Sequence, residues 1–164
     1  VKDLPGDNEA KAETIDNNLQ HEIVKKMSSN SVYYGKLSEM LKKIIIQRKI
    51  EAMSYEEYLR QVVELAEAIL HPETSGSYPD EIKDSAARRA LYDYFEQNVE
   101  LTIDVDGAIR ISIQPEWKRN FQKQQRIRLA IYKKLLLHSY SEDKATEETN
   151  NVFDIAQRQE EYDA

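Results

Sequence analysis

From Trp117 to Leu137 the chain carries no acidic residue, although the whole protein is acidic, with a formal net charge of -7. Placed on a helix, Lys118, Arg119, Lys123, Arg126, Lys133 and Lys134 fall on one side. Trp117, Phe121, Ile131 and Leu135 fall on the other. The apolar side has to be buried, and burying it fixes the basic side outward. The segment is therefore expected to be one amphipathic helix that packs on a core and presents its cations to an anion or an acidic partner. It marks an interaction surface, and nothing in it marks an active site.

At 164 residues the chain can bury a sizeable core. The acidic balance argues against a protein that wraps nucleic acid with its whole surface, so the local basic segment matters more than the sum. The absence of cysteine excludes disulfides, thiolate chemistry and cysteine-based zinc sites, and suits a cytoplasmic protein. No run approaches the roughly 20 apolar residues that a membrane span needs, so no membrane partner is expected. The start has no signal-peptide pattern. It is polar and lacks Met, which suggests a piece of a longer protein.

Apolar spacing predicts an all-α chain of about six helices. Residues 1–12 are polar, with Pro5-Gly6, and read as a linker remnant. Residues 13–140 read as a helical domain and 141–164 as an acidic tail or a last short helix. Ile15, Leu19, Ile23 and Met27 recur every four residues. A second stripe holds Tyr33, Leu37, Met40, Leu41, Ile44 and Arg48. Ser54-Tyr55-Glu56-Glu57 reads as a capping box opening a third helix with Tyr58, Val62, Leu65, Ala66 and Ile69 inward. A loop spans 71–80, and a fourth helix is expected over about Ser85–Gln97. Residues 101–113 admit two readings. Leu101, Ile103, Val105, Ile109, Ile111 and Ile113 alternate around Asp106-Gly107, as in a hairpin, while Leu101, Val105, Ala108 and Ile109 make a helical face.

Motifs for chemistry are weak. Pro79-Asp80-Glu81-Ile82-Lys83 has the letters of a metal-dependent nuclease, but contiguous residues at a helix start should diverge. Asp104-Val105-Asp106-Gly107 begins like a calcium loop, yet the twelfth position is Pro115 and the glycine is misplaced, leaving a turn or a solvated helix face. His21, His71 and His138 share no ligand spacing. No glycine sits in a phosphate-cradling loop. The tyrosines within the expected helices read as core residues with their hydroxyls at the edge. Arg128 falls on the apolar side of its helix and is expected to pair with a carboxylate from Asp93, Glu96 or Asp104.

Several segments, taken in order, resemble the C-terminal part of the R subunit of type I restriction enzymes. They are Asp3-Leu4-Pro5, Ala12-Glu13-Thr14-Ile15-Asp16-Asn17-Asn18, Tyr33-Tyr34-Gly35-Lys36-Leu37-Ser38-Glu39 and Met53-Ser54-Tyr55-Glu56-Glu57-Tyr58-Leu59. Ala90-Leu91-Tyr92-Asp93 and the stretch from Trp117-Lys118-Arg119-Asn120 to Ile131-Tyr132 complete the set.

The resemblance implies a parent subunit with a nuclease domain, two ATP-hydrolysing motor lobes and this helical domain. ATP and Mg belong to that parent. The family's catalytic motifs have no matching positions here, so no catalytic, cofactor or metal residue carries over. The implied partners are the modification (methyltransferase) and specificity subunits, with DNA reached through the basic helix. The resemblance also implies a helix at Leu101–Ile109, from which the Ile109–Ile113 alternation departs. The other reading of the residues is a helical nucleic-acid-binding module acting alone through the basic 117–134 segment.

Overall fold

The computed structural model describes residues 5–164. It is all-helical, as expected, with eight α-helices, three short 3-10 turns and no strand among the described residues. The chain gathers into two compact units, Val1–Ser77 and Tyr78–Ala164.

The first unit holds α1 (Pro5–Lys26), α2 (Ser31–Lys49) and α3 (Tyr55–Leu70), each packed on the other two. The expected linker over 1–12 is corrected from residue 5 on, and residues 1–4 of it lie outside the described residues. The helix starts at Pro5, whose fixed φ suits a first helical position, and Ala12 is fully buried. Asn30 caps α2, its side chain accepting from the Tyr33 amide. Ser54 caps α3 through the Glu57 amide at 3.1 Å. The return half of the capping box does not form. Glu57 instead takes Arg60 Nε and Gln61 Nε2, both at 2.9 Å, which with Arg60 foremost holds its carboxyl down to about 2. Met40 is half exposed, so it lies outside the buried stripe of Tyr33, Leu37, Leu41, Ile44 and Arg48.

The second unit holds α4 (Asp80–Lys83), α5 (Ala86–Tyr94), α6 (Val99–Ser112), α7 (Phe121–Leu137) and α8 (Glu142–Gln157). The two readings of 101–113 resolve to α6. Leu101, Val105 and Ile109, four apart, are all buried, whereas Ile111 is 88% exposed. The alternation therefore has no sheet to serve, and one helical Gly107 is tolerable at a cost of about 1 kcal/mol. The expected fourth helix is shorter than read. α5 stops at Tyr94, Glu96 and Gln97 turn left-handed at φ 53° and 70°, and Asn98 caps a new helix.

The Trp117–Leu137 segment is not one helix. Glu116 is left-handed, Trp117–Arg119 forms a 3-10 turn, and Asn120 caps α7 through the Lys123 amide. Trp117 and Phe121 therefore do not share a face: Trp117 is 1% exposed and Phe121 71%. The C-terminal segment, expected as an acidic tail or short helix, belongs to the core. Ala145, Val152, Phe153, Ala156 and Tyr162 pack with Leu91, Ile109, Ile127 and Leu135. Trp117 meets Phe153 edge-on at 5.8 Å and donates from Nε1 to the Tyr162 carbonyl at 2.7 Å.

Candidate functional site

The six basic candidates separate in space. Lys118 and Arg119 belong to the 3-10 turn, not to α7. Lys118 folds back on its own unit, pairing with the Asp163 carboxylate, donating to the Gln159 carbonyl at 3.2 Å and lying over the Trp117 ring. Lys123 donates to the Pro115 carbonyl at 2.5 Å. Lys134 is half-buried, while Arg119, Arg126 and Lys133 are exposed. Arg126 and Lys133 are seven residues apart, so they share a face of α7. Neither has an acidic partner among the described residues.

The outward face of α7 is not uniformly basic. Phe121 and Leu129 are 71% and 52% exposed, and Leu136 and Leu137 also face solvent. At 3.6 residues per turn, Leu129 and Leu136 share an edge running beside Arg126 and Lys133, whereas Phe121 stands about 80° round the helix from Leu129. Ile127, Ile131 and Leu135 occupy the opposite, fully buried face. The residues expected on one apolar side thus split between core and surface, because Asn120 resets the helix phase.

Arg128 differs from expectation. No carboxylate pairs with it among the described residues. Its Nη1 donates to the Asn150 amide oxygen, and its guanidinium lies 4.0 Å from the Phe153 ring centroid. The side chain reaches the rim of the core, where solvent and an aromatic face suffice. Arg128→Met should therefore lower stability by no more than about 1 kcal/mol. A thermal melt checks this, and a loss near that of a broken buried ion pair would contradict the geometry.

Two buried carboxylates escaped sequence reasoning. In the first unit Asp16 is 5% exposed and accepts from Arg48 Nη2 at 2.6 Å and the Tyr58 hydroxyl at 2.5 Å. Arg48 also pairs with Glu9 through Nη1 and lies over the Tyr58 ring. In the second unit Asp106 is fully buried and accepts from Arg88 Nε at 2.8 Å, Arg110 Nε at 2.9 Å and the Tyr162 hydroxyl at 2.6 Å. Burial pushes its pKa up, but the three donors, Arg110 first, outweigh burial and leave it below the usual range. The calcium-like segment is therefore helical, and Asp106 in it is neither a turn nor a solvated residue. Both oxygens of each carboxylate accept from protein donors, which suits clamps between helices.

The remaining motifs are structural. Asp80 and Lys83 do not diverge; they form an exposed pair at 3.2 Å one helical turn apart. His21 is exposed, His71 ends α3 beside Glu73, and His138 ends α7 with Nε2 2.7 Å from Asp104. Among the described residues no group of His, Asp and Glu could hold a metal ion, and no helix is long and apolar enough to cross a membrane. Of the helical tyrosines, Tyr33, Tyr58 and Tyr94 pack with their hydroxyls bonded to polar partners. Tyr33 donates to the Ala68 carbonyl at 2.7 Å, and Tyr94, bonded to Glu148, is pushed up to about 12, mainly by burial. Comparisons with protein-family models, curated proteins and solved structures found no match for this chain.

Proposed function

We propose that this chain is a non-catalytic C-terminal domain of a type I restriction R subunit, which docks an ATP-dependent DNA translocase and endonuclease onto a methyltransferase core. The observation that carries this reading is the order and spacing of the segments from Asp3 to Tyr132 that resemble that subunit. An all-helical chain with a solvent-facing apolar and basic helix face accords with a docking role. The partners are the modification and specificity subunits, and the ATP and Mg chemistry belongs to other parts of the parent. The cytoplasm is the compartment this role requires.

The decisive measurement is binding of the 164-residue chain to an assembled methyltransferase core, beside ATPase and magnesium-dependent nicking assays. Binding with neither activity is expected. Nicking that disappears in Asp80→Ala would overturn the reading. The acid-free α7 also favours a second reading, a nucleic-acid-binding module acting alone. Affinity for duplex DNA that falls steeply with salt, without affinity for the core, would select it.

A further inference from the structure

We infer that the outward face of α7 docks into an apolar groove, rimmed by carboxylates, on a protein partner. The face has an apolar edge of Leu129 and Leu136 and a basic edge of Arg126 and Lys133. This rests on the docking role proposed above and adds which face docks and what chemistry receives it.

Three observations carry it. The apolar edge keeps a groove-anchor spacing: Leu129 and Leu136 are seven residues apart, two turns and about 10 Å of helix at 1.5 Å per residue. That is the pattern of anchors by which a helix lies in a groove. The buried side of α7 is already complete with Ile127, Ile131 and Leu135, and Leu129 and Leu136 stand outside that cluster at 52% and 36% exposure. Thirdly, Arg126 and Lys133 have no acid beside them, in a chain whose net charge is -7. Their free charge calls for carboxylates from outside.

The same observations discriminate among occupants. A second copy meeting the same face two-fold would bring these unpaired cations toward one another. A duplex would satisfy Arg126 and Lys133 but leave Leu129 and Leu136 against phosphates and water. An apolar groove with an acidic rim on one side satisfies both edges. Lys118 has no part in this surface, because its ammonium is held by Asp163 and the Gln159 carbonyl.

The test compares wild type, Arg126→Glu/Lys133→Glu and Leu129→Gln/Leu136→Gln. Binding kinetics are measured against the assembled methyltransferase core and against a DNA duplex, at low and moderate salt. Glutamine keeps helix propensity, and all four side chains face solvent, so far-ultraviolet dichroism and melting midpoints should stay at wild-type values. If the double glutamine variant melts early, Leu129→Gln alone, at the more exposed of the two positions, replaces it.

Charge reversal should slow association with the core about tenfold at low salt, and the difference should shrink as salt is added. The glutamine variant should associate near the wild-type rate and dissociate about tenfold faster. DNA binding should be weak and indifferent to the leucines. Charge reversal without effect would overturn the acidic rim. Glutamine variants that dissociate at the wild-type rate would overturn the apolar groove. A wild-type chain that does not bind the core would overturn the docking role itself, and with it the partner assigned here.

Discussion

Asp16→Ala should destabilise the three-helix unit by about 3–5 kcal/mol, as expected when one member of a buried ion pair is removed. The reason is what it strands. Arg48 is 8% exposed and takes its strongest buried contact from Asp16, at 2.6 Å. Tyr58 is fully buried, and its hydroxyl donates to Asp16 at 2.5 Å. Removing the carboxylate leaves the buried guanidinium without that partner, while the Tyr58 hydroxyl keeps the Ala12 carbonyl at 3.0 Å. Glu9 remains 2.5 Å from Arg48 Nη1, which places the expected loss toward the lower end of that range.

The contrast is Asp16→Leu combined with Arg48→Met. Replacing both charges with apolar groups removes the desolvation penalty along with the attraction, so the double variant should lie much nearer wild type than Asp16→Ala does. Urea unfolding reads both, as a shift of midpoint at constant slope. Asp16→Ala within 1 kcal/mol of wild type would mean that water reaches Arg48.

These clamps show what periodicity conveys and what it omits. The stripe of Tyr33, Leu37, Leu41 and Ile44 was legible because burial repeats every three or four residues. Arg48 stood on that same stripe, a cation on an apolar face, and this was the available signal of a buried pair. Its partner was not legible, because Asp16 lies 32 residues away on another helix. Asp106 was harder still. It sits beside Gly107 in a stretch that reads equally as a hairpin turn, and its partner Tyr162 lies 56 residues on.

The α7 face was half legible. The missing acids were visible, and so was the need to bury Ile131 and Leu135. The break at Asn120 is not legible, although asparagine is a strong N-cap, because the basic and apolar pattern runs through it in the sequence. That break moved Phe121 from core to surface and Lys118 from surface to a pair with Asp163. A basic face thereby became a mixed one.

At the other end of the chain, Asp106→Ala should destabilise the second unit by about 3 kcal/mol, the low side for a buried pair. Arg88 and Arg110 have about a third of their side-chain surface exposed, so water takes up part of what the carboxylate gave them. Tyr162 has no such relief. It is fully buried, and its hydroxyl, raised by burial and by the Asp106 charge, would lose its acceptor. Tyr162→Phe removes that one charge-assisted bond and should be the milder change, about 1.5–3 kcal/mol.

The pH dependence separates this clamp from mere packing. The folded pKa of Asp106 lies below its unfolded value of about 4, so its contribution is fully present above pH 4 and is lost as pH falls through the folded value. Glu161 is also lowered: Arg110, Ser85 and the Ala87 amide outweigh its burial. It should lose its contribution in the same acid window. Chemical denaturation at intervals from pH 7 to pH 2 should show a constant gap between wild type and Asp106→Ala down to about pH 4. The gap should then narrow, because only the wild type has that proton to take up. A gap unchanged at pH 2 would assign the loss to the cavity left by the side chain and remove the charge from the account.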